Sequence, residues 1–568
     1  MSVVHNAGQA FATVAVDELA RHGVTDAVVA PGSRSTPLTL AFAADQRIRV
    51  HVRIDERSAS FLALGLARAT GRPVPIVCTS GTAAAHFHAA VLEADQSRVP
   101  LLVLTADRPP ELRGIGANQT IDQLRLYGAA VRWSVDVGVP EARGDAVRYW
   151  RSLFSRAVGT ALGASGAAAG PVHLNAPLRE PLTPTDDGIG FAFSLDGREE
   201  GEPWTTAARA TTHAPPALVR SLETASRGVI VAGDGLRAAD VTALVEFAER
   251  SGWPVIAEPH SNARVPSVAV TGTDALLRDN AFVGAHRPDV IVVAGRVGLS
   301  RALLGWMGQQ NYVVVDRDGW WSDPMRGGAS VFRCDVTALA EVTGRGAPEW
   351  SDSWRHAGAL VMAAIDDLLD AEHELTEPRV ARDLAGSLPV GAALVAASSM
   401  PIRDLDLVMR PRTGVTVCAN RGVSGIDGFV STAQGIALGR SGPTWALAGD
   451  LSLLHDSNGF ITDDAADVTY VVANNNGGGI FSILPTASEV EPATFERLFG
   501  TPHHVDIAAL AAAYGVGYSR AETATDLHAE LERVPKGLHI VEIRTDRAAN
   551  AELHARMREV SAAAVPQF

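Results

Sequence analysis

The feature that most constrains the fold is a repeated one. Short, β-branched apolar runs end in polar or glycine-containing turns, and alanine-rich stretches of helical character follow them. Runs without polar alternation read as strands covered on both faces, and strands separated by helices read as parallel sheets. A first group contains Ala27-Val28-Val29-Ala30, Val74-Pro75-Ile76-Val77-Cys78 and Pro100-Leu101-Leu102-Val103-Leu104. A second contains Gly228-Val229-Ile230-Val231-Ala232, Val290-Ile291-Val292-Val293-Ala294 and Tyr312-Val313-Val314-Val315. A third contains Thr444-Trp445-Ala446-Leu447-Ala448, Val468-Thr469-Tyr470-Val471-Val472-Ala473 and a last strand from Leu538 to Ile543. The expected fold class is therefore α/β, with three parallel-sheet domains over residues 1–187, 188–345 and 346–568. A polar stretch rich in Gly, Pro and Thr, about 182–215, reads as linker. The first and third groups match in size and strand spacing, which hints at a duplicated domain.

Composition narrows the chemistry. The 568 residues are 46% hydrophobic and 20% charged, an ordinary globular balance with ample core. A net charge of −15 argues against a nucleic-acid binder, which needs a basic face. No apolar run approaches the ~20 residues of a membrane span. The opening residues lack a signal peptide's basic flank and apolar core. Cys78, Cys334 and Cys418 are widely spaced and read as reduced thiols, so a cytoplasmic protein is expected. Of the 49 basic residues only Lys536 is lysine, and no GxxxxGK phosphate loop exists. Schiff-base chemistry on lysine is disfavoured, and anionic substrates must be held by arginine forks. Gly233-Asp234-Gly235 lacks the full GxGxxG pattern, so the middle block is expected to be a scaffold rather than a dinucleotide site. His86 and His88, two residues apart, would face different sides of a helix and read as structural rather than as metal ligands.

Two motifs carry chemistry. Gly449-Asp450-Leu451-Ser452 and Asn474-Asn475-Asn476-Gly477 each close an apolar run. Two parallel strands would deliver a carboxylate and a carboxamide side by side at the carboxyl edge of a sheet. With a backbone carbonyl, that is a hard-oxygen site suited to Mg²⁺, which diphosphate oxygens would complete. The second motif is Arg53-Ile54-Asp55-Glu56-Arg57-Ser58, ahead of a helical stretch from Ala59 to Thr70. Alone, Glu56 would be read as complementing the helix dipole. Beside a metal–diphosphate motif it suggests more. Thiamine diphosphate needs a metal for its diphosphate and a carboxylic acid at aminopyrimidine N1′. Burial of such an acid favours the neutral form that can donate the hydrogen bond.

On these residues the chain resembles thiamine-diphosphate enzymes. More closely, it is similar to the menaquinone-pathway family of 2-succinyl-5-enolpyruvyl-6-hydroxy-3-cyclohexene-1-carboxylate synthases. The particular segments are the run from Ala30 to Leu40 (APGSRSTPLTL), Asp55–Ser58, the runs Thr105–Arg113 and Gly116–Gln119, Asn420–Gly428 (NRGVSGIDG), Gly449–Ser452 and Asn474–Ser482. The resemblance implies pyrimidine-binding, central and diphosphate-binding domains. It also implies thiamine diphosphate with Mg²⁺ or Mn²⁺, and decarboxylative joining of 2-oxoglutarate to isochorismate by 1,4-addition. Glu56 matches the N1′ partner. Asp450 and Asn475 match the metal's side-chain ligands, Gly477 offers its carbonyl, and Ser33 and Ser452 match further cofactor contacts. Ile426 matches the apolar prop that bends the cofactor. Ser33, Arg34, Arg108, Asn118, Gln119, Arg301, Ser399, Arg403 and Arg421 match substrate-facing positions, with Ile480, Phe481 and Leu484 as the apolar wall. Arg403 and Arg421 are assigned to the 2-oxoglutarate carboxylates.

Because Glu56 and Asp450 lie on different domains, the family geometry implies a homodimer or a dimer of dimers. The family commonly has Lys-Arg where this chain reads Ser300-Arg301, and Arg296 is a candidate replacement. The interval between Asp450 and Asn474 is slightly short, which leaves open whether Asn475 or a neighbour is the ligand. The rival reading is another thiamine-diphosphate 2-oxoacid decarboxylase or carboligase of acetolactate-synthase type.

Overall fold

The computed structural model describes residues 4–164, 166–188, 190–328, 330–464 and 466–567. They form two compact units. The first comprises Met1–Arg209, Asn420–Ser441 and Leu454–Asp467; the second comprises Ala210–Ala419, Gly442–Leu453 and Val468–Phe568.

The first unit is built on a six-stranded sheet. Its strands are β1 (Asp26–Val29), β2 (Arg49–Val52), β3 (Val74–Cys78), β4 (Leu101–Asp107), β5 (Trp133–Asp136) and β6 (Val172–Pro177), in the order β2-β1-β3-β4-β6-β5. Every pairing is parallel. The central strands β1, β3 and β4 are buried throughout, which is why their runs show no polar alternation, whereas the edge strands β2 and β5 alternate and are partly exposed. Ala27 and Val29 enter one core and Val28 and Ala30 the other, the period of two expected of a strand. Helix Glu56–Thr70 packs against helix Phe429–Leu438, which the chain supplies much later. Their approach depends on glycine: a Cβ at Gly65 would lie 2.3 Å from the Thr432 carbonyl, and one at Gly435 2.2 Å from that of Leu62. The stretch expected as a linker is docked up to Arg209. Arg151 Nη2 donates to the Leu195 carbonyl (2.6 Å), and the Trp204 amide donates to Glu18 (2.6 Å).

The second unit holds two sheets. One contains β7 (Gly228–Ala232), β8 (Val255–Ala257), β9 (Val290–Ala294), β10 (Tyr312–Val315) and β11 (Ser330–Phe332), ordered β11-β10-β9-β7-β8. The other contains β12 (Ala393–Ala396), β13 (Thr416–Ala419), β14 (Thr444–Gly449), β15 (Val468–Asn474), β16 (Gly517–Arg520) and β17 (Leu538–Arg544), ordered β13-β12-β14-β15-β17-β16. Taken in chain order, this last sheet repeats the strand sequence of the first, the pattern that matched spacing had hinted at. A single core runs from Val229, Val231 and Ile291 of the middle sheet to Trp445 and Val471 of the last. In the turn after β7, a Cβ at Gly233 would meet the Arg296 carbonyl at 2.1 Å, and Asp234 and Arg296 exchange backbone hydrogen bonds of 2.8 Å. That glycine serves the approach of two strand ends. Among the described residues no helix is long and apolar enough to cross a membrane.

Candidate active site

In the second unit, β14 and β15 pair in parallel with Gly449 opposite Ala473. Asp450 begins a helix and Asn475 follows β15, so the two strand ends place both side chains at one sheet edge, as the spacing predicts. The Asp450 carboxylate is 2% exposed. Its Oδ2 accepts the Gly477 amide (2.9 Å) and lies 3.1 Å from His503 Nε2, while Oδ1 accepts the Leu451 amide (2.6 Å). Gly477 adopts φ +139°, and a Cβ there would fall 2.0 Å from the Gly500 carbonyl. Only glycine lets this turn close over the carboxylate.

The three asparagines differ in what their side-chain oxygens do. Asn474 Oδ1 accepts the Asn476 amide, and its Nδ2 donates to Glu542 (2.6 Å). Asn476 Oδ1 accepts the amides of His503 and His504. Asn475 Oδ1 is buried and accepts nothing, while its Nδ2 donates to Glu377 Oε1 (2.8 Å). An unpaired buried carbonyl oxygen carries a desolvation cost, and a cation would remove it. This donor set fits a hard divalent metal, and among the three asparagines it favours Asn475.

Glu377 and His503 carry no sequence signal of this role, since each reaches the motif only through tertiary packing. Glu377 is buried, and burial together with the Asp404 charge pushes its carboxyl above the usual range. It also accepts from Thr545 Oγ1 (3.1 Å), so the amide of Asn475 is held from behind.

The same unit holds a cavity of about 580 Å³. Arg301, Arg403, Ile480 and Leu484 line it, as does Ser300. Phe481 does not; its ring packs on Phe499 at 5.5 Å. Ser399, at φ +76°, accepts Arg403 Nη1 on its carbonyl (2.6 Å). Ser300, where the family commonly has lysine, caps helix Arg301–Met307 by accepting the Leu303 amide (3.2 Å). Arg296, the candidate replacement for that cation, is not among the residues lining the cavity.

In the first unit, the turns after β1, β3 and β4 converge. The Arg34 amide donates to Thr79 Oγ1 (3.2 Å), and its guanidinium to the Leu178 carbonyl (2.9 Å). Gln119 Nε2 donates to the Ser80 carbonyl and Ser80 Oγ to that of Gln119, both at 3.0 Å. Arg108 Nη2 donates to the Asn118 carbonyl (3.2 Å). Burial first, and the Arg108 charge second, lower the Arg34 pKa against the Glu180 and Asp107 carboxylates, and Glu180 pairs with the Arg34 guanidinium at 3.2 Å. Ser33, by contrast, is exposed, and its carbonyl accepts Thr36 Oγ1.

Glu56 is the first residue of its helix and is half-buried. Asp55 caps that helix and accepts Asn458 Nδ2 (2.9 Å). Buried Asp456, its carboxyl raised by burial, accepts Ser58 Oγ (2.8 Å) and the Ser431 amide (2.7 Å). Both ends of the Glu56 turn are thereby tied to the segment 454–467. Arg421 is buried at 9% exposure, and Ile426 is half-buried, in the loop between β13 and helix Phe429–Leu438. His86 is exposed, and His88 meets the Tyr127 ring edge-on at 5.6 Å.

This architecture is that of the thiamine pyrophosphate enzymes. Family models match the N-terminal TPP binding domain of thiamine pyrophosphate enzymes over residues 9–126, the middle domain over 197–395 and the C-terminal TPP binding domain over 406–543. A benzoylformate decarboxylase from Polynucleobacter necessarius shares the fold, with TM-score 0.66 at 20% identity over 94% of this chain and 98% of that one. A 2-succinyl-5-enolpyruvyl-6-hydroxy-3-cyclohexene-1-carboxylate synthase from Thermobifida fusca is 52% identical over 99% of this chain and 100% of its own length. The synthase of the same name from Saccharopolyspora erythraea is 43% identical over 97% and 98%. The chain belongs to the 2-succinyl-5-enolpyruvyl-6-hydroxy-3-cyclohexene-1-carboxylate synthase family.

Proposed function

We propose that this chain joins 2-oxoglutarate to isochorismate with loss of CO₂, giving 2-succinyl-5-enolpyruvyl-6-hydroxy-3-cyclohexene-1-carboxylate for menaquinone biosynthesis in the cytoplasm. Membership of the synthase family over the full chain carries this reading. When bound, thiamine diphosphate supplies the electron sink that a 2-oxo acid needs in order to lose CO₂. The residues of the chain do the rest. Asp450, the orphaned oxygen of Asn475 and the Gly477 carbonyl hold Mg²⁺ or Mn²⁺, and Ser452 stands beside them. The Glu56 carboxyl donates to aminopyrimidine N1′ and so governs where that ring keeps its proton. Ile426 supplies the apolar prop, and Ser33 contributes a cofactor contact.

Arg403 and Arg421 take the 2-oxoglutarate carboxylates as forks. Arg34, Arg108, Asn118, Gln119, Arg301 and Ser399 orient the remaining carboxylate and hydroxyl groups. Ile480 and Leu484 keep water out. The working assembly is at least a homodimer.

The test supplies both substrates with Mg²⁺ and thiamine diphosphate, and follows CO₂ and the adduct mass. Both should appear in step. Turnover of pyruvate alone, or CO₂ from 2-oxoglutarate without adduct, would place the chain among other 2-oxoacid decarboxylases and carboligases.

A further inference from the structure

Glu93 lies on helix His88–Ser97, outside every motif above, and is 1% exposed. A buried carboxylate is costly unless its oxygens are satisfied. Its partners are specific. Oε1 accepts the Gly422 amide at 2.7 Å and Oε2 the Val423 amide at 2.7 Å. Ser97 Oγ donates to Oε1 at 2.7 Å, and Arg68 Nη2 approaches at 3.5 Å. Two successive backbone amides therefore converge on one carboxylate, which fixes the planes of both peptides. The residue before them is Arg421, and Ile426 follows within the same loop. A Cβ at Gly422 would lie 2.8 Å from Glu93 Oε1 and 2.6 Å from Ser97 Oγ, so the loop is pressed onto this helix.

We infer that Glu93 is a positioning residue for the carboligation, orienting Arg421 toward a substrate carboxylate by clamping the two amides that follow it. The inference rests on the reading of Arg421 as a substrate-facing residue. The neutral amide of Glu93→Gln keeps the shape but offers one acceptor and one donor to two amide donors. One of the two clamps is then lost and replaced by a donor–donor clash. The loop loosens, and the guanidinium is no longer held in its binding direction.

The experiment combines Glu93→Gln, Ser97→Ala and Arg421→Ala in full-length enzyme with thiamine diphosphate and Mg²⁺. It reads KM for each substrate, kcat, the thermal midpoint, and amide hydrogen exchange of the peptide spanning 420–428. Losing one charge-assisted hydrogen bond predicts that Glu93→Gln raises the KM of the substrate that Arg421 serves by about tenfold, with kcat little changed. Exchange at 420–428 should quicken. In the Arg421→Ala background the same change should leave that KM where it is, because the group it orients is gone. Ser97→Ala, which keeps the carboxylate, should give a smaller rise in the same KM, and it carries the test if Glu93→Gln fails to fold.

A lowered midpoint or kcat with both KM values unchanged, or an effect that adds in full to that of Arg421→Ala, overturns the inference. If Arg421→Ala alone leaves both KM values unchanged, the substrate role of Arg421 is what fails, and the positioning role of Glu93 falls with it.

Discussion

At the scale of single residues, the three asparagines after β15 show how one unpaired atom can separate chemically identical side chains. Asn474 and Asn476 spend their oxygens on backbone amides, and Asn475 does not. Asn475→Ala is therefore expected to weaken Mg²⁺ binding by at least about tenfold, while Asn474→Ala leaves it near wild type. Calorimetric titration of Mg²⁺ in the presence of thiamine diphosphate distinguishes them, and equal losses in the two would move the ligand elsewhere. Glu56→Gln should still bind thiamine diphosphate. Exchange of the cofactor's C2 proton, followed by NMR, should slow by about 10²–10⁴-fold, the usual worth of a positioned acid–base group; unchanged exchange would remove Glu56 from that role. The placement of Asp450 and Asn475 at one sheet edge was legible in the sequence because each ends a run of strand character. Glu377, His503 and Glu93 were not, since their roles arise only where distant segments pack. Burial likewise was only partly foreseeable: Glu56 is half-buried in its own unit, whereas Arg34 and Arg421, read from exposed-looking Gly/Ser turns, are nearly enclosed.

Among elements, the central strands were the most legible part of the fold, because their runs are largely apolar and bounded by turn residues; edge strands such as β2 (Arg-Val-His-Val) and β16 (Gly-Tyr-Ser-Arg) carry no such run. What joins the elements was not. His51 on β2 places Nε2 2.9 Å from Asp26 of β1, and its Nδ1 on Asp464 of the late segment. Burial alone would raise the Asp26 carboxyl, but hydrogen bonds from His51, Arg49 and Thr25 overcome it and hold it at about 2. Glu18 follows the same pattern: burial opposes, and His22, the Trp204 amide, Arg151 and Ser155 hold it at about 2. Both pKa values are depressed in the folded state. The stability they contribute is therefore fully present above the ordinary carboxylate range, and it drains away as pH falls toward about 2. The first unit should lose stability over that window, and Asp26→Asn or Glu18→Gln should flatten the loss. Denaturant midpoints measured from pH 5 downward give the slope; a slope unchanged in both variants would deny these carboxylates the effect.

For the whole molecule, neither compact unit is a continuous stretch of sequence. The sheet of the first unit is complete by Pro177, yet helix Glu56–Thr70 is covered by helix Phe429–Leu438. The alternation of strands and helices foretold three sheets but gave no sign of this interleaving, because nothing in residues 420–441 marks which sheet they will cover. A fragment ending at Arg209 should therefore keep both cores of its sheet but expose the Gly65-bearing face of helix Glu56–Thr70 that helix Phe429–Leu438 covers. It is expected to bind a hydrophobic dye and to unfold at a lower temperature than the same unit in the full chain. No dye binding and an unchanged midpoint would show that the late segments are dispensable.

The clamp of Glu93 on Gly422 spans 329 positions of sequence. On a ribosome adding about 5–20 residues per second, the buried carboxylate and the Gly65-bearing face of helix Glu56–Thr70 must wait roughly 15–75 s for their partners to emerge. During that interval the nascent chain presents an unfinished apolar surface, so the yield of folded enzyme in a cell should depend on chaperone capacity and on elongation speed through the middle of the message.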